Sequence, residues 1–412
     1  MKKVPFSYDK LKNIVSEFPT PFYIYDEKAI RENVKNLKKA FSWNNCYHEY
    51  FAIKSNPNPY ILKIFKEEGC GVDCSSKVEL MLAHKCGFSD KDIMFTSNVT
   101  TSEEYALAKK LGAIINLDDT AHINFLNNCT GIPETICCRL NLGEDIMYED
   151  KVTINFKNSK FGSTKEQIYD AFRKLQKLGV KHFGIHAQFG CHKRDANYFG
   201  DNSHKVFQYV VDLYRNTGIR VDFINLAGGI GIPFLPENSP ADIEAISSCI
   251  KKAYDETIVK AGLNPISLFT ELGIYMTGPY GYFVSSVLHV KKTYKSFIGL
   301  DASTNSFMSP ARYNNYYHVS VMGKENKECN HVYDITGALC EDRDRFAIDR
   351  PLPYIEEGNI LVFHDAGAYT YSHSYNFNGK LRAAELLLCT DGTVKMIRRA
   401  ETADDYFATL IF

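Results

Sequence analysis

From Tyr50 onward the chain alternates short apolar runs with helix-length amphipathic segments, and it does so eight times. The strand candidates are residues 50–54, 71–75, 93–97, 114–117, 136–140, 183–188, 223–226 and 268–271. The intervening helices include 59–68, 77–85, 102–111, 165–178, 204–216 and 241–261. A strand followed by a helix and another strand is the signature of parallel βα units. Eight such units are the number that closes a TIM (β/α)8 barrel. A doubly wound open sheet is the competing architecture, and the barrel is the expectation here.

After about Gly278 the rhythm changes. The stretch from Tyr282 to Val290 is β-rich, as are 296–300, 317–321, 332–335, 360–364, 384–388 and 394–397. Strands without helices between them point to a separate C-terminal β domain. The expected division is a barrel over 35–280 and a β domain over 281–412, joined by residues 1–34 through a strand near 21–25.

Composition excludes several classes. With 412 residues and 45% of them apolar, the chain can bury a large core. Its formal net charge is −1 with both signs interspersed, which argues against nucleic acid or an acidic membrane as main partner. No apolar run reaches membrane-spanning length, and Met1-Lys2-Lys3-Val4-Pro5-Phe6-Ser7 has no apolar signal core. The twelve cysteines are scattered, with no metal-ligand spacing, and read as reduced thiols of a cytoplasmic protein.

In a barrel the active site lies at the carboxyl ends of the strands. Polar or glycine-rich residues fall there repeatedly: Lys54, Asp73, Ser76, Asn98, Arg139, His186, Gln188, the loop Ala227-Gly228-Gly229-Ile230-Gly231, and Glu271-Leu272-Gly273. Lys54 ends the run Phe51-Ala52-Ile53 and is followed by Ser55-Asn56-Pro57-Asn58-Pro59. A lysine at such a strand end can be partly desolvated, which favours the neutral amine. A neutral amine forms Schiff bases with aldehydes, pyridoxal phosphate among them. The plain alternative is a strand-end lysine in water. Glycines at 228, 229 and 231 would let backbone N–H groups approach a phosphate, or they form an ordinary turn. Glu271 could hold a pyridine nitrogen protonated, or simply sit in an ion pair.

Seven separated motifs carry a resemblance. They are Ala52-Ile53-Lys54-Ser55-Asn56-Pro57, Gly71-Val72-Asp73 with Ser76 and Glu79-Leu80, Ser159-Lys160-Phe161-Gly162, and Ala227-Gly228-Gly229-Ile230-Gly231-Ile232-Pro233. Then come Thr336-Gly337-Ala338-Leu339-Cys340-Glu341, Asp365-Ala366-Gly367-Ala368-Tyr369 and Tyr375-Asn376-Phe377-Asn378-Gly379. In this order they resemble the fold type III decarboxylases dependent on pyridoxal 5'-phosphate, the ornithine/diaminopimelate/arginine decarboxylase group, and most closely the diaminopimelate decarboxylases. The resemblance runs from Thr20 to Thr402 and implies an alanine-racemase-like barrel plus β domain.

It also implies roles. Lys54 matches the lysine that bonds to the cofactor aldehyde. Asp73, His186, Gln188 and Gly273 fall in cofactor-binding motifs. Gly228, Gly229 and Gly231 match the phosphate cradle, Glu271 the acid on the pyridine nitrogen, and Tyr369 a tyrosine that reaches the phosphate. Cys340 and Glu341 match a pair supplied by the partner subunit, so a homodimer with shared sites is expected. Ser309, Arg312 and Tyr313, with Glu341 and Tyr369, fall where the family binds its amino-acid substrate. The expected activity is decarboxylation; a racemase on the same barrel, or a binding protein that has lost catalysis, are the alternatives.

Three departures bear on substrate. The family's Glu-Pro-Gly-Arg reads Glu271-Leu272-Gly273-Ile274, and its Arg-Pro-Ala-Leu-Tyr reads Ser309-Pro310-Ala311-Arg312-Tyr313. Its Gly-Leu-His-x-His reads Gly184-Ile185-His186-Ala187-Gln188. An arginine grips a carboxylate through two charge-assisted hydrogen bonds, which neither Ile nor Ser can do. Losing one buried pair costs on the order of 10²-fold in binding. Either the substrate has a different far end, or Arg312 or Arg345 takes over.

Overall fold

The structure is a computed structural model and describes residues 2–143, 146–148, 151–154, 157–188 and 190–412. It contains two compact units. The first, Glu32–Ile232 with Pro240–Gly273, holds eight parallel strands: His48–Ala52, Gly71–Cys74, Ile93–Ser97, Ile114–Leu117, Thr135–Arg139, His182–His186, Phe223–Asn225 and Ser267–Thr270. Phe269 and Thr270 of the last strand pair with His48 and Glu49 of the first. An open sheet would leave both of those strands as edges, so this pairing decides for the closed (β/α)8 barrel.

The barrel interior is filled rather than hollow. Tyr50, Met94, Ile114, Cys137 and Phe223 form one buried layer, with Phe269 packed against it. Room for the Phe223 ring comes from Gly184 on the adjacent strand. A Cβ there would lie 2.1 Å from two ring carbons. Gly184→Ala is therefore expected to cost about 1–3 kcal/mol of stability by overpacking. An unchanged urea midpoint would show that the ring can step aside freely.

Helix ends follow local rules. Thr101 with Glu104 and Thr164 with Gln167 form reciprocal capping boxes, and Ser76 caps the helix Lys77–Lys85. The helix expected at 204–216 begins earlier, at Ala196, because Asp195 caps it; Gly218 in the left-handed region ends it. Two elements of this unit were not expected. One is the helix His122–Thr130, and the other is the hairpin Ile146–Tyr148 with Lys151–Ile154 between the fifth and sixth barrel strands.

The first barrel strand also ends two residues earlier than its apolar pattern suggests. Ile53–Ser55 form a 3-10 turn, so Lys54 lies just beyond the strand. Ser55 Oγ donates to the Ala52 carbonyl (2.7 Å) and the Asn56 N–H to the Ile53 carbonyl (3.0 Å). These local bonds compete with the ladder, and Pro57 cannot rejoin it.

The second unit comprises Met1–Arg31, Pro233–Ser239 and Ile274–Phe412. Its strand Phe22–Asp26 pairs antiparallel with Gly281–Lys292 and parallel with Ala384–Leu388. Phe22, Ile24, Val284, Val362 and Leu386 form its core. The strand Arg345–Leu352 was not foreseen. It lies at the end of the strand order, where Pro351 and three charged side chains are tolerated. Among the described residues no helix is long and apolar enough to cross a membrane.

Candidate active site

The barrel unit gathers its buried polar groups where the strands end. Lys54 follows the first strand, Asp73 lies in the second, and His186 and Asn225 close two others. Glu271 comes directly after the last. The Lys54 side chain is half-exposed (49%), with Nζ 3.4 Å from Asp73 Oδ2.

Asp73 is buried, and burial, reinforced by the nearby charge of Glu271, pushes its carboxyl up to about 7 against the pull of Lys54. Glu271 goes the other way. Burial alone would raise it, but His186, Lys54 and Asn225 outweigh that and hold it below the usual carboxylate range. Asn225 Nδ2 donates to Glu271 Oε1 at 2.6 Å, and His186 Nε2 lies 3.2 Å from Oε2. Burial lowers His186, so its ring is neutral at pH 7. An ionised carboxylate only accepts, which assigns the hydrogen to Nε2. Nδ1 of His186 and Oδ1 of Asp73 are both buried with no hydrogen-bond partner among the described residues.

The sign of the Asp73 shift has a consequence for stability. A carboxyl whose folded pKa is raised contributes stability that is fully present below the unfolded value of about 4 and is lost as pH climbs through about 7. Cofactor-free protein should therefore lose roughly 1 kcal/mol between pH 6 and pH 8 through this group. Asp73→Asn should flatten that slope in denaturant titrations; an equal slope in both proteins would refute the assignment.

The glycine loop is shaped first by its neighbours. A Cβ on Gly228 would meet the Glu271 carbonyl oxygen at 2.6 Å, and one on Gly231 would meet the His192 backbone at the same distance. Gly229 has φ +107°, and a Cβ there would sit 2.4 Å from the Gly190 oxygen. Glu271 N–H ties back to the Ala227 carbonyl (2.7 Å). Among the described residues no acceptor takes the N–H of Gly228 or Gly229. Gln188 is spent locally, with Nε2 donating to the Gly190 carbonyl at 2.6 Å. Gly273 is buried two residues beyond Glu271.

Two buried groups here were missed by the sequence reading. One is Asn225, which orients Glu271. The other is Glu49, which accepts from Thr270 and from the Leu272 N–H (2.8 Å) and is raised well above its usual range by burial. A carboxylate abutting the apolar run expected from Tyr50 was the available signal for Glu49.

In the β unit the expected site residues are differently disposed. Ser309 is buried, its hydroxyl accepting from Tyr317 and from Asn315 Nδ2, both at 3.0 Å. Arg312 and Tyr313 are exposed. Cys340 and Glu341 project from a turn anchored by buried Asp344. That carboxylate accepts from Thr304 N–H and hydroxyl (2.7 Å each) and from Leu339 N–H (2.8 Å). Cys340 N–H donates to Asn378 Oδ1 at 2.8 Å, and both Cys340 and Glu341 side chains are exposed. Tyr369 is half-buried at φ +56°, with its ring 5.8 Å from His373. Arg345 is already committed, pairing with Asp334 and Asp342 at 2.8 Å each.

Residues 27–278 match the family model for the pyridoxal-binding domain of pyridoxal-dependent decarboxylases. Protein TabA of Pseudomonas amygdali pv. tabaci is 35% identical over 96% of this chain and 92% of its own length. Diaminopimelate decarboxylase of Methanothermobacter thermautotrophicus is 32% identical over 95% and 92%. The solved diaminopimelate decarboxylase of Methanocaldococcus jannaschii in complex with L-lysine superimposes with TM-score 0.91 at 28% identity, covering 97% of this chain and 94% of that one.

Proposed function

Because this chain belongs to the pyridoxal-dependent decarboxylases, we propose that Lys54 carries pyridoxal 5'-phosphate and that the enzyme decarboxylates an acid-ended diamino acid of the diaminopimelate type. The observation that carries this reading is the grouping of Lys54, Asp73, His186 and Glu271 at the strand ends of one barrel. The residues present fit the cofactor. Asp73 Oδ1 and His186 Nδ1 offer unmet hydrogen-bonding capacity near the Lys54 amine, and the amides of Gly228 and Gly229 offer more in the loop that abuts Glu271. The resemblance adds Tyr369 as a further phosphate contact.

When bound, the cofactor supplies an electron sink for the pair left behind as carbon dioxide departs. Glu271, kept ionised by Asn225 and His186, would hold a proton on the cofactor's ring nitrogen. Asp73 faces Lys54 Nζ and would tune the charge of the amine that would hold the cofactor. Cys340 and Glu341 of a second copy complete the site in a homodimer, with Cys340 close to where a proton returns to carbon. Free thiols at all twelve cysteines support a cytoplasmic enzyme.

Carbon dioxide release from a panel of amino acids tests this reading. Turnover of meso-diaminopimelate above all others is expected. Racemised substrate without carbon dioxide, or turnover confined to substrates with no acidic far end, would contradict it.

A further inference from the structure

The β unit contains a cavity of about 510 Å³ that the reading above leaves unused. Four guanidinium groups line it, those of Arg312, Arg343, Arg345 and Arg350, against the single carboxylate of Asp342. Two of the four are engaged. Arg345 is held by Asp334 and Asp342, and Arg350 Nη1 donates to the Tyr317 carbonyl (2.9 Å) with its guanidinium 4.0 Å from the Tyr316 ring centre. The guanidinium groups of the other two meet no carboxylate among the described residues: Arg312 lies 5.2 Å from the Tyr313 ring and adds to burial in lowering His373, and Arg343 touches an acid only through its backbone N–H, which donates to Glu341 Oε1 at 3.3 Å. An unpaired surface arginine is ordinary. Two of them on the wall of a concave site that two fixed arginines already make positive is a different matter, because like charges there repel until an anion arrives.

The geometry points to a seat for a small oxyanion, a carboxylate or phosphate group, gripped by Arg312 and Arg343. Guanidinium forks match such groups bidentately. The position is informative: Arg343 follows Cys340 and Glu341 by two residues, and Arg312 precedes Tyr313. Ser309, by contrast, has its hydroxyl bound to Tyr317 and Asn315, and Arg345 is occupied. Resting on the proposed reaction, KM distinguishes two sources of that oxyanion, the far carboxylate of the substrate and a free anion.

The experiment uses the holoenzyme and its Arg312→Gln and Arg343→Gln variants, with Arg343→Lys as the conservative control. Malonate binding is measured by calorimetry, KM for meso-diaminopimelate by carbon dioxide release, and Ki for cadaverine, which has no carboxylate, by inhibition. Malonate affinity should fall about tenfold or more in either glutamine variant, with partial retention in the lysine variant and unchanged Ki for cadaverine. A parallel rise in KM assigns the seat to the substrate's own end, and an unmoved KM assigns it to a free anion. Malonate affinity and KM both within twofold of the parent would overturn the proposal, as would cadaverine Ki rising in step with KM. Should the parent release no carbon dioxide from any amino acid, the proposed reaction fails and malonate binding alone decides the seat.

Discussion

Replacing Lys54 by alanine is expected to lower decarboxylation by about 10⁴-fold or more, because one substitution removes the covalent tether and proton transfer at Nζ together. Losses at the weaker end of this range would follow from proton transfer alone. The fold should survive. Lys54 sits in a turn beyond its strand, and its side chain is half-exposed, so the barrel ladder does not depend on it. Thermal midpoints of parent and variant cofactor-free protein should agree within a few degrees, while the visible absorbance of the holoenzyme disappears. Activity within tenfold of the parent would place the chemistry elsewhere.

The second large effect belongs to Glu271→Gln. The carboxylate sits between two donors, Asn225 Nδ2 and His186 Nε2, so an amide there turns its own NH₂ toward a donor and removes the negative charge. A pyridine nitrogen facing it would lose the partner that keeps it protonated, and the electron sink would weaken. The expected fall in kcat is about 10²-fold or more, with cofactor still bound and KM little changed, since the lost interaction acts at the transition state. A kcat within threefold of the parent would show that Glu271 only braces the barrel mouth.

The barrel was readable because each of its strands is a short apolar run cut off by a polar or glycine residue, and because eight of them recur with helices between. What eluded that reading has identifiable causes. The 3-10 turn at Ile53–Ser55 looks like strand by composition, and only the Ser55 and Asn56 bonds break it. The helix His122–Thr130 is rich in Asn, Thr and His, which are weak helix formers, and packing of Ile123 and Leu126 holds it. The strand Arg345–Leu352 carries charges and a proline that only an edge position permits.

For the site, the strand-end pattern pointed to Lys54, Asp73, His186 and Glu271, and the barrel does bring these four together. Asn225 escaped because a polar residue within an apolar strand carries no sign of which way it faces, and Glu49 because it lies one residue before the run expected to begin at Tyr50. Arg343 escaped for another reason. Its interest comes from a cavity wall shared with Arg312, thirty-one positions away in sequence, and no local pattern encodes that.

Reduction of the holoenzyme with borohydride, followed by proteolysis and mass mapping, tests the central claim most directly, because it fixes the cofactor to whichever nitrogen holds it. A pyridoxyl adduct on the peptide containing Lys54, and on no other, is the result expected. An adduct on a different lysine, or none on cofactor-saturated protein, would contradict the account.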